Sequence, residues 1–237
     1  MKKNYKYLTF IPARSNSKGL KNKNLKTISG KKLIEITINF IKKLKIKNNY
    51  IFVSTDSEKI LRISKNCGAN VDFLRSKKLS KSNSVLDDAI FEFLNSKKFR
   101  SINFEFLILL MPTQPFRSKQ AFLKGIKLIN NQKIKSVISV KNLNRSDDHI
   151  FKKEKNILKI KKKIKSVNRQ FIKSDFTPCG CFYITKLHEF KKKGSFYNNK
   201  TFGIETSFPQ NLDIDNIYDL NLARTIIKNK NKIKLNI

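Results

Sequence analysis

The stretch Tyr7-Leu8-Thr9-Phe10-Ile11-Pro12-Ala13-Arg14-Ser15-Asn16-Ser17-Lys18-Gly19-Leu20-Lys21-Asn22-Lys23-Asn24-Leu25 decides how the chain is read. Residues 7–11 are a short apolar run closed by a proline, the signature of a buried strand. A polar loop from Ala13 to about Asn24 follows it. The loop carries cations, a glycine and small hydroxyls, so backbone N–H groups and short side chains can approach a polyphosphate while Arg14, Lys18 and Lys23 neutralise its charge. It is neither a Walker A loop nor a GxGxxG turn.

The same alternation continues outward. Leu33, Ile34, Ile36, Thr37, Phe40, Ile41 and Leu44 recur at helical spacing, and Tyr50–Thr55 reads as a second strand. Asp56 or Ser57 is placed to cap a helix that stops at Cys67-Gly68. Val71–Leu74 reads as a short third strand, Val85–Leu94 as a helix, and Phe106–Met111 as the most apolar strand, closed by Pro112. Ser118 caps a helix through Phe122, Ile126 and Ile129, and Ser136–Val140 is a fifth strand. Strands that are apolar on both faces and alternate with helices argue for an α/β fold, a mainly parallel sheet flanked by helices. Ligands of such sheets bind beyond the carboxyl ends of the strands.

From Lys141 to about Phe176 the rhythm breaks into a Lys-rich excursion with the character of a small hairpin. Regular structure resumes at Gly180–Ile184, with a further strand expected at Phe202–Glu205. Asp213-Ile214-Asp215 leads into a final helix with Ile217, Leu220, Leu222, Ala223, Ile226 and Ile227 on or near its buried face. The expected organisation is therefore a core of residues 1–140 and 177–237, with 141–176 as the excursion. Ile150, Phe151, Ile157, Leu158, Ile160 and Ile164 lie among its lysines, more apolar surface than a thin excursion can bury within itself. That points to a homodimer contact.

In the 237 residues, 52 Lys and Arg face 17 Asp and Glu, a net charge of +35. Lysine is spread along the whole chain together with Asn, Ile and Phe, all read from AT-rich codons. Base bias accounts for this composition better than a nucleic-acid partner, which would draw the cations into patches. The positive field still favours encounter with anionic substrates. Cys67, Cys179 and Cys181 are too few and odd in number for a disulfide framework, and buried or pocket-lining thiols are expected. No secretory leader and no apolar run of about 20 residues is visible, so neither membrane nor export is expected, and a reducing cytoplasm fits.

Five ordered motifs carry a resemblance. The first loop is similar to I-P-A-R-x-x-S-K-G-x-x-x-K-N, the signature of the acylneuraminate cytidylyltransferases, the CMP-sialic acid synthetase family, and every fixed position is present. Val53-Ser54-Thr55-Asp56 resembles its V-S-T-D. Leu109-Leu110-Met111-Pro112-Thr113-Gln114-Pro115-Phe116-Arg117 resembles its L-L-Q-P-T-S-P-L-R. Asn168-Arg169-Gln170 with Gly180-Cys181-Phe182-Tyr183-Ile184 matches its R-Q and N-G-A-I-Y-I. Leu212-Asp213-Ile214-Asp215 with Asp219-Leu220 and Leu222-Ala223 matches its I-D-I-D-x-x-x-D-L-x-x-A.

The resemblance implies a Rossmann-like nucleotide-diphospho-sugar transferase fold and a reaction: CTP and a nine-carbon 2-keto sugar acid give a CMP-sugar and pyrophosphate, with Mg2+. Arg14, Lys18 and Lys23 would contact the triphosphate, Ser17 and Asn24 would order the loop, and Arg75 would face the cytosine. Arg14, Lys23 and Asp215 would carry the catalysis. Arg169, Met111 and Cys179 would lie in the sugar-acid pocket. The resemblance also implies a homodimer, with the excursion reaching the neighbouring subunit. The residues agree on the metal: Asp213 and Asp215, at i and i+2 of an extended segment, share a side, and a hard divalent cation relieves their repulsion. The competing reading of that pair is that Asp215 or Asn216 merely caps the final helix.

Departures from the pattern cluster in the acceptor half. Met111 replaces Gln, Thr177 and Cys179 replace Arg and Asn, His149 falls near a usual Lys, and Ser82 sits where Asp is common. They point to a nonulosonic acid other than plain N-acetylneuraminate. The alternatives are a 3-deoxy-manno-octulosonate cytidylyltransferase, disfavoured because the first loop has no Pro-Gly before Lys23, a basic nucleic-acid-binding protein on the same fold, and a homologue that keeps the nucleotide and has lost the acceptor.

Overall fold

The computed structural model describes residues 4–17, 19–80, 85–100, 102–143, 151–154, 157–160 and 175–230. In chain order these form β1 (Asn4–Pro12), a 3-10 turn (Lys23–Leu25), β2 (Thr27–Ile28), β3 (Lys31–Lys32), α1 (Leu33–Lys43), β4 (Asn49–Ser54) and α2 (Glu58–Asn66). After a second 3-10 turn at Lys78–Ser80 come α3 (Leu86–Asn95), β5 (Asn103–Leu109), α4 (Lys119–Ile129), β6 (Ser136–Asn142), β7 (Phe151–Glu154) and β8 (Ile157–Ile160). The chain continues through β9 (Phe176–Lys186), α5 (Leu187–Lys193), β10 (Thr201–Glu205) and α6 (Ile217–Lys228).

Among the described residues, six strands form one sheet in the order β10-β6-β9-β5-β1-β4. All run parallel except β9, which lies antiparallel between β5 and β6. The period of two explains why the central strands read as continuous apolar runs. Tyr7 and Ile11 of β1, with Phe106 and Ile108 of β5, pack on one face against Ile34, Ile38 and Ile41 of α1 and Phe122 of α4. Leu8 and Phe10, with Leu107 and Leu109, pack on the other against Ile90 and Phe93 of α3 and Phe190 of α5. Three layers result, with the sheet in the middle. A smaller cluster of Ile28, Leu33, Phe116, Ile214 and Leu220 seats α6 beside the carboxyl ends of the strands.

Ser57 and Ser118 cap α2 and α4, each accepting a backbone N–H three residues on. The expected strand at Val71–Leu74 does not form. Asn70 makes a single bridge to Phe52, and the chain then turns so that the Arg75 N–H reaches the Thr55 carbonyl. The segment packs beside β4 without extending the ladder. The sequence reading also lacks α5, a seven-residue helix closed by Gly194 in the left-handed region. The excursion carries the antiparallel hairpin β7–β8, and β6 and β9 remain paired down to Asn142 and Phe176 at its base.

Candidate active site

The polar loop leaves β1 at the carboxyl end of the sheet. Its entry is fixed from β4, where the Ser54 carbonyl accepts the Ala13 N–H at 2.9 Å. Asp56 then holds Ser15 twice, taking its N–H on one carboxylate oxygen and its hydroxyl on the other, both at 2.7 Å. Asn24, buried, donates Nδ2 to the Arg14 carbonyl at 2.9 Å, which ties the two ends of the loop together. Lys23 Nζ lies 2.8 Å from Asp215 Oδ1. Gly19 explains itself here: a Cβ at that position would stand 2.4 Å from the Asp215 carbonyl oxygen, so only glycine lets the loop lie against the Asp213–Asp215 segment.

A cavity of about 510 Å³ opens over this loop. Arg14, Ser17, Lys23, Asn24 and Arg75 all line it, together with Met111, Thr113, Asp213 and Asp215. Five of the six expected nucleotide residues are thus brought together, and the sixth, Lys18, lies outside the described residues. Arg75 is 7% exposed. Its Nε and Nη2 donate to the Ser54 hydroxyl and carbonyl, each at 2.9 Å. Burial lowers its pKa, and the nearby Asp56 carboxylate works in the opposite direction by favouring the charged form.

The segment after β5 is a brace. Arg117, buried, donates Nε to the Cys181 carbonyl at 2.6 Å, Nη1 to the Thr37 hydroxyl at 3.3 Å and Nη2 to the Met111 carbonyl. Burial pushes its pKa down to about 10. Gln114 donates Nε2 to the Cys179 carbonyl at 2.7 Å. The Thr113 carbonyl accepts the Ile214 N–H at 2.9 Å. Ile214 is fully buried, so Asp213 and Asp215 on either side of it open on the cleft.

The helix-cap reading of the aspartates falls to Asn216. Its Oδ1 accepts the N–H groups of Tyr218 and Asp219, while Asp219 Oδ2 accepts those of Asp215 and Asn216. The Asp215 carboxylate takes no part in that cap and instead pairs with Lys23. Partial burial in the cleft raises the pKa of Asp213, and the Asp215 charge adds to the effect. Two carboxylates beside Lys23 and Arg14 form a hard-oxygen donor pair. Magnesium characteristically takes one or two protein carboxylates and fills its remaining positions with phosphate oxygens and water, so these residues fit that ion.

A second cavity, of about 750 Å³, adjoins the first and shares Leu86, Met111, Asp213 and Asp215 with it. Cys179, Tyr183, Phe196, Tyr197, Phe208 and Lys141 line the remainder. Met111 and Cys179, the expected acceptor-side residues, are both here, and Arg169 lies outside the described residues. Sequence reasoning missed Ser54, Asp56, Gln114 and Arg117 as the residues that hold the site in place. Their signal was present in the V-S-T-D and P-T-Q-P-F-R motifs, but most of their partners lie far away in sequence, and several are backbone groups.

A profile of the family described as Cytidylyltransferase matches residues 8–233. The N-acylneuraminate cytidylyltransferase of Escherichia coli O18:K1:H7 is 28% identical over 235 residues, 98% of this chain and 54% of that protein. The CMP-N,N'-diacetyllegionaminic acid synthase of Legionella pneumophila is 35% identical over 133 residues, 56% of each chain. The chain thus spans about half the length of these curated relatives. Among solved structures, a CMP:2-keto-3-deoxy-manno-octonic acid synthetase complexed with CTP matches with a TM-score of 0.67 at 12% identity, covering 95% of this chain and 99% of that one.

Proposed function

The chain belongs to the cytidylyltransferase family, and on that premise we propose that it activates a nonulosonic, sialic-acid-like sugar acid with CTP, giving the CMP-sugar and pyrophosphate. The observation that carries the reading is the seam between the two cavities. The cationic loop lines one, an aromatic and thiol-bearing wall lines the other, and Asp213, Asp215 and Met111 belong to both. A nucleotide in the first cavity and a sugar acid in the second would meet at the aspartates.

Arg14, Lys18 and Lys23 bind and orient the triphosphate, and Ser17 and Asn24 order the loop around it. Arg75, held by Ser54, offers its remaining donors to the acceptor edge of the cytosine. The acceptor's anomeric hydroxyl attacks the α-phosphorus, and the bond to the β-phosphate breaks as pyrophosphate leaves. Cations preset around the phosphates stabilise the charge that develops there without reorganising during the reaction. Asp213 and Asp215 would hold Mg2+, which withdraws charge from the phosphoryl oxygens. Met111, Cys179 and Arg169 belong to the acceptor side, Arg169 suiting a carboxylate. A homodimer in which the 141–176 excursion reaches the neighbouring subunit completes this reading, supported by Ile157 of the hairpin, which is 72% exposed in the single chain.

The 3-deoxy-manno-octulosonate alternative is supported at the level of the fold alone, and the first loop speaks against it. Pyrophosphate release from CTP against a panel of sugar acids tests the proposal. Release with a nine-carbon acid supports it, and release with the eight-carbon acid alone would favour the alternative.

A further inference from the structure

Cys179 and Cys181 stand on β9 with their sulfurs 3.5 Å apart. Gly180 between them has φ +82°, and the β6–β9 register shifts opposite this stretch. Side chains at i and i+2 of a strand share a face, and here they converge. A disulfide needs the sulfurs at about 2.05 Å, so about 1.5 Å of closure separates the dithiol from the bond, within reach of side-chain rotation and a small strand adjustment.

We propose that Cys179 and Cys181 form a reversible redox-modification site in the wall of the second cavity, closing to a disulfide that lowers use of the sugar acid while sparing CTP binding. The effect on the sugar acid rests on reading that cavity as the acceptor site; the thiol chemistry does not. The two sulfurs have different access. Cys179 is 6% exposed and lines the cavity, whereas Cys181 is 1% exposed, does not line it, and donates its thiol to the Gln210 carbonyl at 3.1 Å. A small oxidant entering the cavity therefore meets Cys179 first, and Cys181 is the resolving thiol. The hydrogen bond between the sulfurs favours the thiolate on Cys179 and keeps the proton on Cys181.

With hydrogen peroxide as oxidant, the Cys179 thiolate attacks one peroxide oxygen, the O–O bond breaks and hydroxide leaves, giving a sulfenic acid. The Cys181 sulfur then attacks the Cys179 sulfur, the S–O bond breaks, and the leaving hydroxide departs with the Cys181 proton as water. Overall the two thiols lose two electrons and two protons, and the peroxide becomes two waters. A dithiol reductant reverses the change by exchange.

The consequence follows from the brace. Gln114 holds the Cys179 carbonyl and Arg117 the Cys181 carbonyl, and both lie on the segment that carries Met111 and Thr113. Moving β9 here displaces the acceptor wall. The loop at Arg14–Asn24 has its own anchors in Ser54 and Asp56 at the end of β4, which β5 and β1 separate from β9.

The test uses a Cys67→Ser protein, so that the pair supplies all the thiols. After stoichiometric hydrogen peroxide, the count of thiols in the denatured chain should fall from two to none, with the loss of two hydrogens from the peptide holding both residues and recovery on adding dithiothreitol. In the oxidised protein kcat/KM for the sugar acid should fall roughly tenfold to a hundredfold, the scale of a displacement of about 1 Å beside a reacting centre, while the Kd for CTP stays unchanged. Cys67→Ser combined with Cys181→Ser should keep basal activity and form no intramolecular disulfide. Thiols that persist, or a disulfide that leaves acceptor kinetics untouched, would overturn the proposal. The thiol count and peptide mass need no turnover. A reversible disulfide in a protein that transfers cytidylyl to no sugar acid would therefore sink the functional reading and leave the redox site standing.

Discussion

Asp215 meets three different demands in one residue. Its carbonyl touches Gly19, its N–H is held by Asp219, and its carboxylate faces Lys23 and the cleft. Replacing Asp215 by Ala should abolish turnover, and Asp213→Ala should reduce it severely, because the lost charge stabilisation appears mainly in the transition state. Thermal melts of both variants should match the parent, since neither carboxylate supports α6. Near-parental rates at saturating magnesium would refute their role. Gly19→Ala should act differently. The added methyl must push the loop off the Asp215 carbonyl, so the KM for CTP should rise, on the order of tenfold or more, with the fold intact; an unchanged KM would mean that the loop yields elsewhere. At this scale the sequence was informative about which charged residues line one cavity. Arg14, Lys23 and the aspartate pair could be named before any fold was known. Gln114 and Arg117 could not, because the β9 carbonyls they hold lie 65 and 64 residues away, and a backbone carbonyl leaves no mark in the residue pattern.

The elements show where local chemistry suffices. Ser57, Ser118 and Asn216 sit at helix starts because their side-chain oxygens satisfy backbone donors that the first turn leaves open. Asn216→Ala should cost about 1 kcal/mol in chemical denaturation. Set beside Asp215→Ala, it should separate the cap from the proposed catalytic role, one variant losing stability and the other activity. Arg117→Met should be harsher, at about 2–4 kcal/mol, since the buried Cys181 carbonyl and the part-buried Met111 carbonyl would lose their donor. A melt equal to the parent would contradict the brace. The strand expected at Val71–Leu74 is instructive in the opposite direction. Its apolar character was genuine, and Val71 is buried, but burial came from packing beside β4 and not from a ladder. Periodicity reports which residues leave water, and it does not report which backbone groups pair. The reversed direction of β9 was invisible for the same reason.

For the whole molecule the open quantity is the net charge of +35. If base bias set it, affinity for duplex DNA should be weak, without sequence preference, and lost steeply as salt rises, which a salt titration of binding would read. Tight, sequence-selective binding at physiological salt would revive the nucleic-acid reading. The assembly is testable by sedimentation of the intact chain and of a variant lacking residues 152–164. A dimer is expected from the first and a monomer from the second; an active monomer of the intact chain at micromolar concentration would refute the assembly. The division into three layers, with a cavity at the carboxyl edge of the sheet, was legible from strand–helix alternation alone, because parallel sheets leave few other arrangements. The joining of two cavities at Asp213 and Asp215 was not, since it depends on how α6 seats against the loop.

Cytidylyl transfer to a nonulosonic acid is read out by pyrophosphate release. Purified protein with magnesium should release pyrophosphate only when CTP and a nine-carbon 2-keto sugar acid are both present. ATP, GTP and UTP should serve far less well, and the CMP-sugar should accumulate in equal amount. Release that is indifferent to the base, or CTP bound with no pyrophosphate released from any sugar acid tried, would contradict the account.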